Sequence, residues 1–233
     1  MFIGHYAPAL ALRALPGSPG LATGFVAVQL IDVGFFTLSW AGIEKWALNP
    51  AITGFMPVDL YFMPYTHSLL GTGLWAAAAA FLYAMLAPGG RRLAGSAIIF
   101  GLVLSHWALD LIVHRHDLGL LGDEPHKLGF ALWDWPLLTI PLELGLLAVG
   151  LAVYVKASAP RNALGHVTPW LVLVALIAAQ CVNWFTPPAA DTTSFSAMGL
   201  LAYAAAAALG WLLEATRQIH ATASDPLNRE GHA

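Results

Sequence analysis

A histidine and an aspartate lie one helical turn apart within a long apolar segment of the chain. The segment 93–113 reads LAGSAIIFGLVLSHWALDLIV and contains His106 and Asp110. Side chains at positions i and i+4 share one face of a helix. Ionisable groups at membrane depth are costly to bury, usually face the interior of a bundle, and mark a functional site by default. The pair therefore predicts a site, and its residue types suit metal ligation.

Three further candidate ligands lie in or beside other apolar segments. Asp32 falls inside an early apolar run, His67 begins a later one, and His5 lies near the N-terminus. A helical rise of about 1.5 Å per residue places His5, Asp32 and His106 at comparable depths in a membrane. Imidazole and carboxylate ligands suit zinc, and also manganese or iron. The sequence predicts one divalent metal site, with zinc as the first choice, formed by His5, Asp32, His67, His106 and Asp110.

Each of these residues also has a purely structural interpretation. A histidine in a membrane often bonds a neighbouring helix, and Asp32 could accept a hydrogen bond from a hydroxyl group. The spacing H-x-x-x-D is also common by chance in a chain with nine histidines. Because several candidates are predicted to lie at similar depths in the membrane, the metal site is the favoured interpretation. Because a typical catalytic zinc has three protein ligands, either some candidates orient others or a second ion binds. Glu143 has two open interpretations, orienting a ligand and helix packing.

The elements that must position these residues are membrane-spanning helices. Hydrophobic residues make up 58% of the 233 residues and charged residues 10%, whereas soluble domains have about 25% charged residues. Since a span needs roughly 20 apolar residues, the sequence predicts six spans, at about 21–43, 66–87, 93–113, 134–156, 166–185 and 195–216. We predict an all-α, polytopic transmembrane helix bundle with an N-terminal half-helix from about Tyr6. Residues 1–221 form a single domain and 222–233 a polar tail.

Two of the predicted spans carry runs of alanine, at 76–80 and 204–208. Small residues let helices approach each other closely in lipid. The runs predict tight packing within one chain, with an oligomer contact as the alternative.

The distribution of lysine and arginine predicts the orientation. One side of the six-span arrangement carries more of these residues than the side with Lys45, Arg115 and Lys127. The positive-inside rule assigns the richer side to the cytoplasm. We therefore predict a multi-pass protein of a bacterial-type inner membrane with cytoplasmic termini, and with Asp59 and His126 on the outer side. The net charge of −3 and the lack of a basic run give no indication of a nucleic-acid partner.

The loop after the third span is unusually polar. It reads HRHDLGLLGDEPHKLGF from position 114. Its basic residues could bind an anionic group such as phosphate, or they could simply lie near lipid headgroups. The chain has no Gly-x-Ser-x-Gly elbow and no phosphate-binding glycine loop, so a serine nucleophile is not indicated.

Two strings are similar to those of a known family. The chain has Gly4-His5, an early helical Asp32, T-H-S-L-L at 66–70 and S-H-x-x-x-D at 105–110. Together they resemble the membrane-bound metal-dependent hydrolase family of small inner-membrane proteins, over about residues 1–125. The resemblance implies the same five metal ligands and a hydrolytic activity. The family often has H-R-G-x-T-H-S, whereas this chain has Phe62-Met63-Pro64-Tyr65 before Thr66, with Asp59 as the nearest polar group.

A hydrolase of this kind would use a metal-activated water, because a bound ion makes hydroxide available near neutral pH. Asp59, also a possible sixth ligand, or Asp110 would act as general base, which requires hydrogen-bond reach of that water. Arg115, His126 or Lys127 would hold the anionic part of the substrate. The predicted partner is a membrane lipid or a lipid-like, phosphate-containing molecule, such as a phospholipid or a polyprenyl phosphate.

Two other classes of protein could use the same polar cluster. A small transporter or permease would relay protons or a metal ion through it, and inverted repeats with broken helices would favour that class. A non-catalytic membrane subunit would use the cluster only to fix helix packing. The sequence has no clear inverted repeat, but it leaves the oligomeric state open.

Overall fold

Helices make up most of the described part of the chain. The computed structural model describes residues 1–52 and 56–220, and 66% of it is helical. A short N-terminal helix, α1, spans Tyr6–Leu12. Six longer helices are each long and apolar enough to cross a membrane: α2 Leu21–Trp40, α3 Leu69–Leu86, α4 Arg92–Val113, α5 Pro136–Lys156, α6 Leu164–Phe185 and α7 Thr192–Thr216. The predicted helix bundle is confirmed, while the predicted tail 222–233 lies outside the described residues.

The predicted N-terminal half-helix is present and is fixed by a buried carboxylate. A 3-10 turn, Ile3–His5, leads directly into α1. The first N–H groups of a helix have no partner within it. Here Glu143 of α5 accepts hydrogen bonds from the N–H groups of Phe2 (3.0 Å) and Gly4 (3.5 Å). Glu143 therefore holds the turn that carries His5, and its role in orienting a ligand stays a prediction.

Close packing of α1 against α5 depends on one glycine. A Cβ atom at Gly150 would lie 2.7 Å from the Cα atom of Ala7, a distance that real Cβ atoms do not show. Small residues of this kind allow helix backbones to approach in an apolar environment. The half-helix is thereby seated inside the bundle, with Tyr6 and Leu10 fully buried.

The long helices enclose a core centred on α2, which contacts α1, α4 and α7. Its fully buried members include residues from both halves of the chain, such as Ile31, Leu102 and Leu213. Helix α3 instead packs mainly against α4, and its outer face is exposed, with Phe81 70% accessible and Leu86 77% accessible. An apolar exposed face of this kind suits contact with lipid tails. The first half of the chain thus has an inner helix, α2, and a peripheral one, α3.

The alanine runs are less buried than the sequence predicts. In α3, Ala76 is fully buried whereas Ala77 and Ala78 are exposed. In α7, Ala206 is buried and Ala204 is exposed. A helix that lies at the periphery buries only one stripe, so only part of each run lies against neighbouring helices.

Two short antiparallel sheets connect the helices. Strands β1 (Lys45–Leu48) and β2 (Val58–Phe62) form a hairpin between α2 and α3, in a segment that the sequence predicted only as a span boundary. Strands β3 (Ser158–Pro160) and β4 (Arg217–Ile219) pair beside the ends of α5 and α7. The first hairpin leads into the residues that precede α3, and it thereby directs His67 towards α4.

Candidate metal centre

The five predicted ligands meet inside the bundle. They come from four separate segments: the N-terminal 3-10 turn, α2, the residue pair before α3, and α4. Two groups have possible ligand atoms within 4.8 Å of one another, His5 with His106 and Asp110, and Asp32 with His67 and His106. Four of the five residues are buried, and the side chain of Asp32 is 16% exposed. The sequence therefore identified residues that are adjacent in space.

The two oxygens of Asp110 have different surroundings. Oδ1 accepts a hydrogen bond from the amino group of Met1 (2.8 Å), and it lies 3.0 Å from Nε2 of His5. Oδ2 lies 3.0 Å from Nε2 of His106 and 3.8 Å from Nε2 of His67. Oδ1 is thus held by Met1 and His5, whereas Oδ2 faces the imidazoles of His67 and His106.

Asp32 repeats this arrangement. Its Oδ2 accepts a hydrogen bond of 2.8 Å from the hydroxyl group of Tyr203 on α7. Its Oδ1 lies 3.4 Å from Nε2 of His67 and 3.4 Å from Nε2 of His106. Each carboxylate therefore directs one oxygen towards the same pair of imidazole nitrogens.

The tautomer of His106 follows from its backbone contact. Nδ1 lies 2.7 Å from the carbonyl oxygen of Val28. Because a carbonyl oxygen can only accept, Nδ1 carries the proton and the neutral ring has its lone pair on Nε2. That nitrogen is buried and has no hydrogen-bond partner among the described residues. His106 thus directs an unused lone pair at Asp32 and Asp110. The ring of His5 stacks on it, with centroids 3.9 Å apart and an interplanar angle of 6°.

The tautomer of His67 is set by a relay that the sequence did not reveal. The hydroxyl group of Thr66 donates to Oε2 of Glu44 (2.7 Å) and also lies 2.9 Å from Nδ1 of His67. A hydroxyl group has one proton to donate, and here that proton forms the hydrogen bond to Glu44. His67 must therefore donate from Nδ1, which leaves its lone pair on Nε2. Glu44 is 1% exposed and also accepts from the N–H groups of Tyr65 and Thr66.

With both imidazoles neutral, the four inward-facing atoms are all acceptors. Oδ1 of Asp32, Oδ2 of Asp110 and Nε2 of His67 and His106 face one another across 3.0–3.8 Å. Buried acceptors without a donor or cation between them are costly. In a tetrahedral zinc site with bonds of about 2.0–2.1 Å, ligand atoms lie about 3.3–3.4 Å apart. The donor types suit a divalent ion, and the four separations between a carboxylate oxygen and an imidazole nitrogen, 3.0–3.8 Å, bracket that spacing.

His114 is a further member of the cluster that the sequence analysis assigned to the anion-binding loop instead. It lies directly after α4, and its Nε2 is 3.5 Å from Oδ2 of Asp110. Its Nδ1 is 2.9 Å from Oδ1 of Asp117, so Nδ1 carries a proton and Nε2 faces inward. The spacing H-x-x-x-D-x-x-x-H at 106, 110 and 114 puts three polar residues on one helix face. That periodicity could have identified His114. Tyr203 and Glu44 have no comparable local pattern.

Two residues predicted to act in catalysis lie elsewhere. Asp59 is in β2, where it pairs with Ala47, and Arg115 forms an ion pair of 3.1 Å with Asp134. Lys127, predicted to help hold an anion, pairs with Asp123 at 2.7 Å. Neither Asp59 nor Arg115 belongs to the two groups of possible ligands found among the described residues. Their roles as general base and anion-binding residue stay predictions.

A cavity of about 500 Å³ lies beside the cluster. Asp32, His67, Asp110 and His114 line one end of it, and Glu143 also reaches it. The polar groups of the candidate metal centre are thus accessible to a small molecule from inside the bundle.

Comparison with known proteins adds no relative to this picture. No protein-family model matches the chain, and no curated protein or solved structure matches it. The class of protein that the fold defines is a helical bundle with six helices able to cross a membrane, and the functional conclusions that follow rest on the residues themselves.

Proposed function

We propose that this protein is a membrane-embedded metal-dependent hydrolase that acts on a lipid-like substrate. One observation carries the proposal: an oxygen or nitrogen atom of Asp32, His67, His106 and Asp110 faces the same small space. A hydrogen bond from the other side of each side chain fixes its orientation. If the imidazoles are neutral, helix packing alone would leave these atoms buried without donors, which is costly. A divalent ion, zinc first and manganese or iron otherwise, accounts for that arrangement. The six apolar helices support a multi-pass location, proposed as a bacterial-type inner membrane with cytoplasmic termini.

In this proposal some residues bind the ion and others orient those ligands. Asp32, His67, His106 and Asp110 hold the ion. His5 donates from Nε2 to the rear oxygen of Asp110, a role that differs from the ligand role predicted from the sequence. When bound, the ion supplies a water of lowered pKa and polarises the scissile bond.

His114 is the residue proposed to accept the proton of the attacking water. It lines the cavity, and Asp117 fixes its Nδ1 proton, so Nε2, which lies 3.5 Å from Oδ2 of Asp110, would be the atom that takes the proton. Its ring lies against Trp133, with centroids 4.2 Å apart, and this contact limits its movement. A general base must lie within hydrogen-bond reach of the proton that it takes. His114 meets this requirement for a water between Asp110 and the cavity, whereas Asp110 itself serves as a ligand.

The test is elemental analysis of the purified protein beside four variants. We expect near-stoichiometric metal in the wild type and in His166→Ala, which alters an exposed histidine of α6. His106→Ala and Asp110→Asn should lose it, because a site with an open position has few protein ligands to spare. His114→Ala should retain the metal and lose hydrolysis of a long-chain ester. If wild-type protein supplied with zinc and manganese binds neither, both the proposed metal site and the proposed hydrolase are wrong. The protein would then be a transporter or a structural subunit.

A further inference from the structure

The cavity beside the metal centre is largely apolar away from its polar end. Its walls include Phe35 and Phe36 of α2, Trp46 of the hairpin, and Phe195 of α7. These rings contact one another, with Phe36 and Phe195 6.2 Å apart and Trp46 and Phe195 5.3 Å apart between centroids. Ligand pockets of about 300–1,000 Å³ that are lined in this way bury most of an apolar ligand. At about 500 Å³ the cavity is of that kind.

The opening of the cavity lies between α6 and α7. Val182 of α6 and Met198 of α7 both line it, yet they are 50% and 56% exposed. The loop between the two helices contributes further exposed lining residues, Thr186, Pro187 and Pro188. A side chain that is exposed and also lines a cavity marks the rim of the opening. The opening therefore lies where α6 ends and α7 begins. Both helices are long and apolar enough to cross a membrane, so a ligand would enter near one membrane boundary.

The charges around the cavity disfavour an anionic ligand. Asp32, Asp110 and Glu143 line it, and no lysine or arginine does so among residues 1–52 and 56–220. The basic side chains of the neighbouring loop are engaged elsewhere, Arg115 with Asp134 and Lys127 with Asp123. Met1 also lines the cavity, and its amino group pairs with Asp110, so a divalent ion and this group together would balance the three carboxylates. A phosphate group would therefore add a negative charge that no lysine or arginine of the lining could pair with, and burying an unpaired charge is costly.

From these three observations we propose that the cavity takes a neutral, single-chain amphiphile with an ester head, admitted between α6 and α7. The inference rests on the proposed hydrolase and narrows its substrate from lipid-like molecules in general to uncharged long-chain esters. The ester group lies at the end formed by Asp32 and Asp110, and the chain lies among Phe35, Phe36 and Phe195. Hydrolysis adds one water, breaks the acyl C–O bond and releases a carboxylic acid and an alcohol, so no other reactant is needed.

The experiment measures binding without turnover. The probe is radiolabelled 1-O-hexadecylglycerol, a neutral ether that cannot be hydrolysed, added to full-length protein in lipid nanodiscs. Unlabelled hexadecyl phosphate, of the same chain length, is the anionic competitor, and empty nanodiscs give the background. We expect saturable binding of the ether and little displacement by the phosphate at equal concentration.

Two variants place the ligand in the cavity. Ala202→Trp fills it from α7, and Met198→Trp narrows its rim. Overpacking by a large ring should weaken ether binding by about tenfold or more in each. Ala205→Trp, on the exposed face of the same helix, is the matched control and should bind as the wild type does. Met198 is already half-exposed, so its replacement keeps the test informative if Ala202→Trp does not fold.

Three results would overturn the inference: no saturable ether binding, tighter binding of hexadecyl phosphate than of the ether, or unchanged ether binding in both tryptophan variants at the cavity. Metal content is measured on the same wild-type samples. Metal without ether binding removes the substrate assignment and leaves the metal site. Ether binding without metal removes the hydrolase and leaves an apolar ligand site.

Discussion

The hydroxyl group of Tyr203 donates a hydrogen bond of 2.8 Å to Oδ2 of Asp32, and this contact joins the last long helix to a site otherwise formed by residues 5–114. The bond occupies the rear oxygen of the carboxylate and leaves Oδ1 facing His67 and His106. Residues that orient a ligand in this way tune metal affinity almost as strongly as the ligands themselves.

Tyr203→Phe should therefore weaken metal binding while leaving the fold in place. The ring and its packing against Phe36 are kept, and only the donor to Asp32 is lost. We expect affinity to fall by about 10–100-fold, the range for loss of an orienting partner. Competition with a chelator of known affinity measures it, with Tyr83→Phe on α3 as the control. Equal affinities for Tyr203→Phe and wild type would show that Asp32 does not need this bond.

Thr66 is expected to be the most sensitive orienting residue, because it connects Glu44 to His67. Thr66→Val keeps the shape but leaves Nδ1 of His67 without an acceptor and Glu44 without one donor. Leaving buried polar groups unpaired costs about 1–3 kcal/mol. We expect Thr66→Val to lower both metal affinity and thermal stability, and Thr66→Ser to restore the affinity. Rescue by serine separates the hydroxyl group from the methyl group. If serine and valine give the same metal affinity, the relay does not orient His67.

The sequence predicted the helices well because each span carries its own signal. A run of apolar residues bounded by proline and glycine is a local property, so the six spans were found within a few residues of their bounds. The ligand positions on α4 were also local, since His106 and Asp110 are one turn apart. The partners of those ligands were not, because Tyr203 is 171 residues from Asp32 in the chain. Only the folded backbone brings such residues together.

The same distinction explains the errors about packing. Alanine content says that a helix can pack closely, but not which face does so. Helix α3 lies at the periphery and buries Ala76 alone of the first three alanines in its run. The hairpin of β1 and β2 was missed for a related reason: its strands are only four and five residues long, and the prolines nearby predict a loop as readily as a turn between strands.

Ala76→Leu should destabilise the bundle, and Ala78→Leu should not. Ala76 is fully buried in α3, whereas Ala78 is exposed on the same helix. Adding methylene groups to a packed contact costs about 1–3 kcal/mol, and an exposed apolar side chain adds none of that strain in lipid or detergent. Thermal unfolding in detergent compares the two variants directly. Equal midpoints would mean that α3 moves away from its neighbours at little cost.

His5 and His67 are expected to differ in what their loss does to the metal, although the sequence predicted the same ligand role for both. Nε2 of His5 lies 3.0 Å from Oδ1 of Asp110, the oxygen that also accepts from Met1. Nε2 of His67 lies 3.4 Å from the inward oxygen of Asp32. A glutamine amide can still donate to Asp110, but it is a poor substitute for an imidazole ligand.

We therefore expect His5→Gln to retain most of the bound metal and His67→Gln to lose it. Elemental analysis of both proteins, purified side by side and supplied with zinc, gives the comparison. Circular dichroism checks that each variant keeps its helices. Loss of metal from both variants would restore His5 to the ligand set that the sequence predicts, and retention in both would remove His67 from it. The ordering of the two variants thus decides which oxygen of Asp110 faces the ion.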